Sequence, residues 1–319
     1  MFALGTFSGA GTGAAAGTGT GTGTCLVRED RVLPLERTTA ELLSDWDAAL
    51  EHLAALADGQ PTAWLPLDEL RPQPPVLPGQ ILQSGANYRK HVVDIVVSET
   101  DQYRGRTAEQ VRADAETMMD VRAASGEPYL FIGLPSALCG ATDDIVLPAH
   151  GSQHDWELEL AVVIGRPARH IGPEDAYHHV AGYLICNDIT TRDLVYRPDL
   201  ARIGTDWLRA KNSPTFLPAG PYLVPARFVK DPMDLRITLR HNGVTRQDES
   251  TSDMIFDIAA LISYASSLVR LEAGDMLLTG SPAGNGAHWG TFLRAGDVIE
   301  AEITGLGGQR NLCVSEGTP

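Results

Sequence analysis

Lysine is scarce in this sequence. Only three lysines (Lys90, Lys211 and Lys230) occur among the 25 basic residues of the 319-residue chain, and 41 acidic residues give a net charge of −16. This balance argues against binding to nucleic acid, whose phosphates are neutralised by Lys and Arg, and against binding to anionic membrane surfaces. An acidic small substrate is not excluded, because it experiences only the local field of its pocket.

Paired cysteines and long apolar runs are also missing. The four cysteines are scattered without a C-x-x-C pair, which argues against a zinc knuckle and against a disulfide framework. No apolar run reaches the ~18 residues that a membrane-spanning helix needs. The first residues lack the positive charge and the leucine-rich core of a secretory signal. We therefore expect a cytoplasmic protein with reduced cysteines and no membrane partner.

The length and the ordinary hydrophobic content of 43% predict one large or two unequal globular domains. Residues 5–24, which end in a Thr-Gly repeat, contain too little apolar surface to fold and predict a flexible segment. The proline-rich stretch 61–78 is typical of an extended linker. We place the domain boundary near residue 76, with a small N-terminal β domain at 1–75 and a second domain at 76–319.

Short strands outnumber helices in the second domain. The continuous apolar run at 158–164 predicts a buried strand, and Asn242-Gly243 between two β-rich runs predicts a hairpin. A helix with a capping box at its start is predicted at 107–124. It lies within a segment, about 92–128, that lacks a strong core pattern and predicts a mobile, partly helical lid. Together these patterns predict an α+β fold that is mostly β.

Three acidic residues form the most informative pattern. Glu157 and Glu159 lie two residues apart at the start of a predicted strand, so both side chains point to one face, and Asp188 ends another apolar strand. Carboxylates gathered inside a fold repel each other unless a cation neutralises them. All-oxygen ligands select hard ions such as Mg²⁺, Mn²⁺ or Ca²⁺. For the glutamate pair alone, the alternative is a solvated strand edge.

Other residues are candidates for chemistry beside such a metal. Three carboxylates and a divalent ion leave one negative charge, which Lys211 would balance, although an exposed lysine is an equal alternative. His91 and Asp94 are spaced to face the same way on a helical turn, so the carboxylate would orient the imidazole as a general base. A surface His–Asp pair is the simpler alternative. The turn with Gly280 and Ser281 offers donors for an oxyanion, or is an ordinary tight turn.

In their order and spacing, these segments resemble the fumarylacetoacetate hydrolase family. The resemblance extends over residues 81–314, nearly all of the second domain. The matching segments are Asn87-Tyr88-x-x-His91, Asp155-x-Glu157-x-Glu159, Asn187-Asp188-x-Thr190-x-Arg192-Asp193, Lys211-x-Ser213-Pro214-Thr215-Phe216, Asn242-Gly243 with Gln247, and Thr279-Gly280-Ser281-Pro282-Ala283-Gly284.

The resemblance implies a mixed, rolled β-sheet with a small N-terminal domain, usually as a homodimer. It implies Lys211 as a site lysine and His91 as the catalytic histidine, delivered by a lid that orders when the substrate binds. The ligands that it implies for Mg²⁺ or Mn²⁺ are Glu157, Glu159 and Asp188. Our candidate substrate-binding residues are Tyr88, Arg192, Gly280 and Ser281.

The sequence departs from the family pattern at several positions. The acid partner of the histidine is commonly Glu and is here Asp94, which is one methylene shorter. Gly133 stands where the family often has lysine, and Val195 stands where it often has glutamine. The loss of a basic residue at 133 predicts a substrate whose second carboxylate is different or absent.

We therefore predict a metal-dependent hydrolase that cleaves a C–C bond in a β-dicarbonyl or acylpyruvate-type 2-oxo acid. In this hypothesis the metal is the Lewis acid, His91 with Asp94 activates water, and Lys211 with donors near Gly280 and Ser281 stabilises the oxyanion. The main alternative is decarboxylation, hydration or isomerisation of a 2-oxo acid through a metal enolate. A lesser alternative is an inactive metal-bound scaffold.

Overall fold

The structure, a computed structural model, describes residues 1–9, 21–59, 63–98 and 105–317. Within these ranges, no helix is both long and apolar enough to cross a lipid bilayer.

Short strands make up most of the regular structure. In chain order they are β1 (Ala3–Ser8), β2 (Thr22–Arg28), β3 (Arg31–Pro34), β4 (Leu65–Pro66), β5 (Arg71–Gln73), β6 (Ile81–Gly85), β7 (Tyr129–Gly133), β8 (Leu138–Gly140), β9 (Ile145–Leu147), β10 (His154–Asp155), β11 (Leu158–Ile164), β12 (Val180–Asn187), β13 (Thr190–Thr191), β14 (Leu217–Ala219), β15 (Val224–Pro225), β16 (Arg236–His241), β17 (Val244–Ser250), β18 (Met276–Leu278), β19 (Val298–Ile303) and β20 (Gly307–Ser315). The helices are α1 (Thr39–Leu43), α2 (Trp46–Asp58), α3 (Arg89–Ser98), α4 (Ala108–Ser125), α5 (Trp207–Lys211), α6 (Ile258–Leu268) and α7 (Gly286–Trp289).

The first sheet has the strand order β4-β3-β2-β1-β5. The prediction that residues 5–24 are flexible is wrong at both ends of that range, because residues up to Ser8 lie in β1 and residues from Thr22 lie in β2. The two strands pair antiparallel from Ala3↔Val27 to Ser8↔Thr22, so backbone pairing orders the threonines and glycines of this part. The centre of the predicted segment, residues 10–20, lies outside the described residues. The domain boundary near residue 76 stays a prediction.

The central sheet carries the site and has the order β7-β6-β18-β11-β12-β14-β8, with β15 also paired to β12. Its middle strand β11 coincides with the predicted strand at 158–164 and is buried at every residue. The sheet is mixed, because β6 runs parallel to β18 while β11 is antiparallel to both of its neighbours. Apolar side chains on both faces of β11 bury it in the core and hold its register.

The third sheet has the order β17-β16-β19-β20-β9. The predicted hairpin is confirmed, since β16 and β17 pair up to His241↔Val244 across Asn242 and Gly243. Both turn residues have positive φ, 52° and 78°, as the tightest hairpin turns require. With the central sheet, this arrangement confirms the predicted fold class, α+β and mostly β with a mixed, curled sheet.

Two helices form the segment that we predicted as a lid. The helix α4 begins after Thr107, whose side chain and that of Gln110 form the predicted capping box. It packs against α3 through a small apolar cluster that contains Val93 and Met119. Residues 99–104, between the helices, lie outside the described residues. The helical content of the segment is therefore confirmed, and its motion as a lid stays a prediction.

A buried amide of Gln309 helps to join the third sheet to the central one. Nε2 of Gln309 lies 3.1 Å from each of three backbone oxygens, those of Ile185, Pro218 and Gly220. Gln309 is 3% exposed and belongs to β20, whereas Ile185 belongs to β12. The amide thus satisfies carbonyl groups that would otherwise be buried without a donor.

We expect Gln309→Leu to lower the free energy of unfolding by about 1–3 kcal/mol, because it leaves buried carbonyls without a donor. The neighbouring variant Arg310→Ala is the control, since Arg310 is exposed and its ion pair with Glu300 spans 3.8 Å. Urea unfolding of both variants measures the difference. Equal stability of the two variants would contradict the assignment.

Candidate active site

Two adjacent strands bring the three predicted carboxylates together. Glu159 lies in β11 and pairs with Cys186 of β12, Glu157 directly precedes β11, and Asp188 directly follows β12. Since residues two apart on a strand face the same side, all three side chains share one face. Their ligand oxygens lie within 4.8 Å of one another and all three residues are buried. The solvated strand edge that we considered for the two glutamates is therefore wrong.

Lys211 is buried among these carboxylates, so the alternative of an exposed lysine is also wrong. It ends the short helix α5, and its Nζ donates to Glu157, to Asp188 and, at 2.7 Å, to the hydroxyl of Thr190. The ammonium group also lies 5.6 Å from the ring of Phe131. All three ammonium protons are thus used inside the protein.

Arg192 belongs to the same cluster, although we predicted it as a substrate-binding residue. Its Nη2 donates to Glu157 at 2.6 Å and its Nε donates to Asp155 at 2.8 Å. The Asp155 carboxylate in turn accepts the backbone N–H groups of Gly286 and, at 3.1 Å, Ala287 at the start of α7. Arg192 therefore uses one donor to position Glu157 and another to bind Asp155.

The sequence analysis did not assign roles to Asp155 and Thr190. Asp155 lies two residues before Glu157, and residues two apart in an extended chain point to the same face. The spacing that placed Glu157 and Glu159 on one face therefore places Asp155 there too. Thr190 follows Asp188 by two residues, and its hydroxyl lies 3.1 Å from Glu157. Both residues lie within the motifs that carry the family resemblance. Their position in those motifs was the feature of the sequence that could have identified them as site residues.

Buried charge is the dominant electrostatic feature of the site. Four carboxylates (Asp155, Glu157, Glu159 and Asp188) and the ammonium of Lys211 are each at most 7% exposed. The Arg192 side chain, 21% exposed, supplies the second cation. Two cations against four carboxylates leave an excess of two negative charges, which is the charge that one divalent cation would neutralise.

The pKa values of the carboxyl groups reflect this excess. Burial, together with the charges of Asp188 and Glu157, raises the pKa of Glu159 well above its usual range. Burial also raises the pKa of Asp188 to about 6, against the lowering effect of Lys211. For Glu157, burial acts in the same direction, but Arg192 and Lys211 outweigh it and lower the pKa. Glu157 is thus held ionised, whereas Glu159 readily takes up a proton unless a cation binds and Asp188 does so below about pH 6.

The donor set fits a hard divalent cation. All of its ligand atoms are carboxylate oxygens, the donors that Mg²⁺ and Mn²⁺ prefer. Oδ1 of Asp188 is buried and has no hydrogen-bond partner within the described ranges. A buried carboxylate oxygen without a partner is costly, and coordination to a cation would remove that cost.

His91 lies in the first turn of α3 and is 9% exposed. Burial lowers the pKa of its imidazole to about 4, and the next largest effects come from Glu157, which raises the pKa, and Arg192, which lowers it. The ring is therefore neutral at pH 7 and has a nitrogen free to accept a proton. Because the charges of Glu157 and Arg192 act on it, His91 belongs to the surroundings of the carboxylate cluster.

Asp94 does not orient His91 by a hydrogen bond, which corrects the predicted dyad. Its Oδ1 accepts from Arg112 of α4 at 3.1 Å, and its Oδ2 lies 3.7 Å from Nδ1 of His288. The i,i+3 spacing brings the two residues near one another, and Asp94 raises the pKa of His91 only as a lesser effect. Arg112 engages Asp94 because α4 packs across α3, which the local spacing does not reveal.

Two of the other predicted substrate-binding residues, Gly280 and Ser281, are hydrogen-bonded within the protein. The N–H of Gly280 donates to Glu159 at 2.7 Å, and the Ser281 hydroxyl accepts from Gln247 at 3.0 Å. Tyr88 is fully buried and its hydroxyl has no hydrogen-bond partner among the described residues. The turn of Gly280 thus positions a carboxylate, and its predicted role as an oxyanion donor is not available in this arrangement.

Comparison with known proteins agrees with this site. The fumarylacetoacetate (FAA) hydrolase C-terminal family model matches residues 80–314. A 2,4-didehydro-3-deoxy-L-rhamnonate hydrolase of Sphingomonas sp. (strain SKA58) is 36% identical over 270 residues, which are 83% of this chain and 84% of that protein. The human mitochondrial oxaloacetate tautomerase FAHD2B is 41% identical over 183 residues, 57% of each chain, so the match spans little more than half of that relative.

Solved structures show the same fold over nearly the whole chain. A putative HpcE protein from Mycobacterium smegmatis has a TM-score of 0.76 and 28% identity, covering 99% of this chain and 100% of that one. The maleylpyruvate hydrolase from Sphingobium sp. SYK-6, in complex with manganese (II) ion and pyruvate, has a TM-score of 0.72 and 25% identity with the same coverage. The sequence match and the shared fold together show that this chain belongs to the fumarylacetoacetate hydrolase family.

Proposed function

We propose that this protein is a metal-dependent hydrolase that cleaves a carbon–carbon bond in an acylpyruvate or another β-dicarbonyl acid. The observation that carries the proposal is the buried cluster of Glu157, Glu159 and Asp188 with a neutral His91 in its surroundings. A buried acidic cluster with two unbalanced charges suits a cation, and a neutral imidazole suits a base. The Sphingomonas and Sphingobium relatives are both named as hydrolases, which supports the same reaction class.

Glu157, Glu159 and Asp188 would hold Mg²⁺ or Mn²⁺, and Ca²⁺ suits the same oxygen donors. Such an ion supplies Lewis acidity toward a carbonyl oxygen of the substrate. A backbone N–H group and a guanidinium group hold two of these carboxylates in place without an ion. Gly280 holds Glu159 through its N–H, and Arg192 holds Glu157 through its guanidinium group. Both carboxylates are therefore preorganised as ligands.

His91 is the proposed general base. With its pKa near 4, the imidazole is unprotonated at neutral pH and accepts a proton from water. The resulting hydroxide adds to the carbonyl carbon of the acyl group. The C–C bond then breaks, its electron pair becomes an enolate on the pyruvate side, and protonation of that carbon by His91 restores the neutral base. The products are a carboxylic acid and pyruvate or a substituted pyruvate.

Of the two roles predicted for Lys211, balancing charge and stabilising an oxyanion, its contacts favour the first. Its three contacts with Glu157, Asp188 and Thr190 use all of its N–H donors. We propose that it balances the charge of the ligand carboxylates and keeps them ionised. Stabilisation of an oxyanion by Lys211 would require the loss of one of these contacts.

A second candidate function uses the same residues without an attacking water. In tautomerisation or isomerisation of a 2-oxo acid, His91 would transfer a proton to or from a carbon atom of the substrate. In decarboxylation, the step that breaks the C–C bond would need no proton transfer by His91. The tautomerase name of the human relative supports this candidate. Products separate the reactions, since hydrolysis adds water and splits the substrate, decarboxylation releases CO₂, and tautomerisation keeps the mass. An inactive metal-bound scaffold would give no product.

From the family resemblance we also propose a cytoplasmic homodimer whose partner is a small acid rather than nucleic acid or membrane. Sedimentation equilibrium measures the mass in solution, and a monomer at micromolar concentration would contradict the dimer.

We expect Asp188→Asn and Glu159→Gln to weaken Mn²⁺ binding by more than ~100-fold and to abolish turnover, since each removes a ligand charge. Isothermal titration calorimetry measures the affinity, with Asp248→Asn, an exposed carboxylate paired with Arg236, as the control. For the unaltered protein, affinity should fall as pH drops, because protons compete with the ion for Glu159, whose pKa burial raises, and for Asp188, whose pKa is about 6; below pH 6 we expect a fall of at least about tenfold per unit. Affinity that is independent of pH and of both substitutions would refute the site.

We expect His91→Ala to retain Mn²⁺ affinity within about twofold and to lose ~100-fold or more in kcat for hydrolysis. Mass spectrometry of the products from acylpyruvates, β-diketones and oxaloacetate, with Mg²⁺ or Mn²⁺ present, identifies the reaction. Asp94→Asn should have a much smaller effect on kcat, because Asp94 is bonded to Arg112. Unchanged hydrolysis by His91→Ala would eliminate this residue as the base.

We expect Lys211→Met to destabilise the metal-free protein by about 3–5 kcal/mol at pH 8, because it leaves buried carboxylates uncompensated. Lys211 lowers the pKa of Asp188, which burial raises to about 6, so without Lys211 this carboxyl group takes up a proton at a higher pH and the uncompensated charge disappears as pH falls toward 5. The loss caused by the substitution should therefore shrink toward pH 5. Urea unfolding at both pH values tests this, with Lys230→Met, an exposed lysine, as the control. A loss that does not vary with pH would contradict the charge-balancing role.

A further inference from the structure

The ladder between β11 and β18 leads directly to the carboxylates. The two strands pair antiparallel, and the N–H of Thr279, the residue after β18, still donates to the carbonyl of Leu160 at 3.1 Å. The chain then turns at Gly280, whose φ is +95°. The Gly280 N–H donates to the side chain of Glu159, a candidate metal ligand. From this turn onward, side chains connect the two segments.

The amide of Gln247 makes the next connection. The register of the two strands places Leu158 of β11 opposite Ser281 of the turn. The N–H of Leu158 donates to Oε1 of Gln247 at 3.2 Å. Nε2 of the same amide donates to the carbonyl of Pro282 at 2.9 Å and to the hydroxyl of Ser281 at 3.0 Å. The amide thus takes the place of a peptide group in a regular ladder, with an acceptor toward β11 and a donor toward the turn.

This amide is completely buried. Gln247 has no exposed surface, so water does not replace its partners. An apolar side chain in its place would leave the N–H of Leu158 and the carbonyl of Pro282 without a partner inside the protein. The cost would fall on the two segments that build the site. These segments are the turn after β18 and the start of β11, where Leu158 lies between Glu157 and Glu159.

Two local features bring Gln247 to this position. Gln247 belongs to β17, and the register between β16 and β17 shifts directly before it, which leaves Arg246 as a bulge. A bulge redirects the side chains beside it. On the turn, Gly284 allows the close approach, because a Cβ atom there would lie 2.1 Å from the carbonyl oxygen of Arg246. The third sheet therefore reaches the turn closely enough for one amide to join the turn to β11.

The position of the turn matters because the turn holds a candidate ligand. The N–H of Gly280 lies 2.7 Å from Oε2 of Glu159, and a hydrogen bond of this length needs a fixed distance between the two segments. Thr279 fixes the turn on one side of Gly280 through the backbone ladder. Gln247 fixes it on the other side through Leu158. Gln247 thus acts on Glu159 through the turn.

We propose that Gln247 is a positioning residue for the cation site. Its amide sets the distance between β11 and the turn, which keeps the Gly280 N–H on Glu159 and keeps this carboxylate oriented toward the cation. Groups that orient metal ligands contribute to the affinity for the metal. This inference rests on the proposed function, because it assumes that Glu159 binds a divalent cation.

The test compares Mn²⁺ affinity in two variants that each remove a buried amide. Gln247→Leu removes the amide at the turn, and Gln309→Leu removes the similarly buried amide between β20 and β12. We expect Gln247→Leu to weaken Mn²⁺ binding ~10- to 100-fold, the range typical of groups that orient a metal ligand. Gln309→Leu should leave the affinity within about twofold of the unaltered protein, because its amide lies away from the turn and from Glu159. Isothermal titration calorimetry measures both affinities.

Two further measurements separate positioning from a loss of fold. The electron paramagnetic resonance spectrum of bound Mn²⁺ depends on the symmetry of its ligands, and it should change in Gln247→Leu but not in Gln309→Leu. Gln247→Asn keeps both polar ends of the amide but is one methylene too short to reach Leu158 and Pro282 together. It should also weaken Mn²⁺ binding ~10-fold or more, and it guards against failure of Gln247→Leu to fold. Circular dichroism shows that each titrated variant is folded.

The outcomes distinguish this inference from the proposed function. A purely structural role for Gln247 predicts that Gln247→Leu and Gln309→Leu both lose stability in urea and that neither loses Mn²⁺ affinity. That result, or equal losses of affinity in the two variants, overturns the inference and leaves the proposed function intact. If the unaltered protein binds Mn²⁺ but hydrolyses no acylpyruvate, the proposed reaction fails, while the two affinities still decide the inference. If the unaltered protein does not bind Mn²⁺, both fail.

Discussion

The burial of four carboxylates with only two cations is the constraint on which the rest of the site depends. Isolated charges of this kind are too costly to keep inside a protein, so each one must be paired, hydrogen-bonded or protonated. Glu157 is paired twice, with Arg192 and Lys211, and stays ionised. Glu159 has one backbone donor, and Asp188 has one oxygen without any hydrogen-bond partner among the described residues. The remaining charge is concentrated on these two residues, where a divalent cation would bind.

The surrounding elements supply the donors that make this burial tolerable. The turn after β18 provides the N–H of Gly280, whose φ of +95° is unfavourable for other residues. The start of α7 provides two N–H groups for Asp155, and Asp155 in turn holds Arg192. Segments that are distant in sequence thus converge at the paired ends of β11 and β12 in the central sheet.

Sequence reasoning identified the carboxylates because a strand imposes a strict periodicity. Residues two apart share a face, and the apolar run after Glu159 showed that the strand is buried. The same reasoning was less successful for His91 and Asp94. An i,i+3 spacing shows that two residues are neighbours but not which other group competes for the carboxylate, and Arg112 comes from a helix whose packing the local pattern does not reveal. The turn of Gly280 was identified as a source of donors, but its acceptor proved to be Glu159.

The sequence by itself determined the fold class, the family, the acidic cluster and the scarcity of lysine that made Lys211 notable. These properties depend on local periodicity and on the order of motifs, and both can be read directly from the sequence. Only the tertiary structure decided that Lys211 is buried with all three donors in use, that Asp155 belongs to the site, and that Arg192 binds Asp155 and Glu157. These are contacts between residues that are distant in the chain. Their geometry depends on the register of the strands and on which groups surround each side chain in the folded protein.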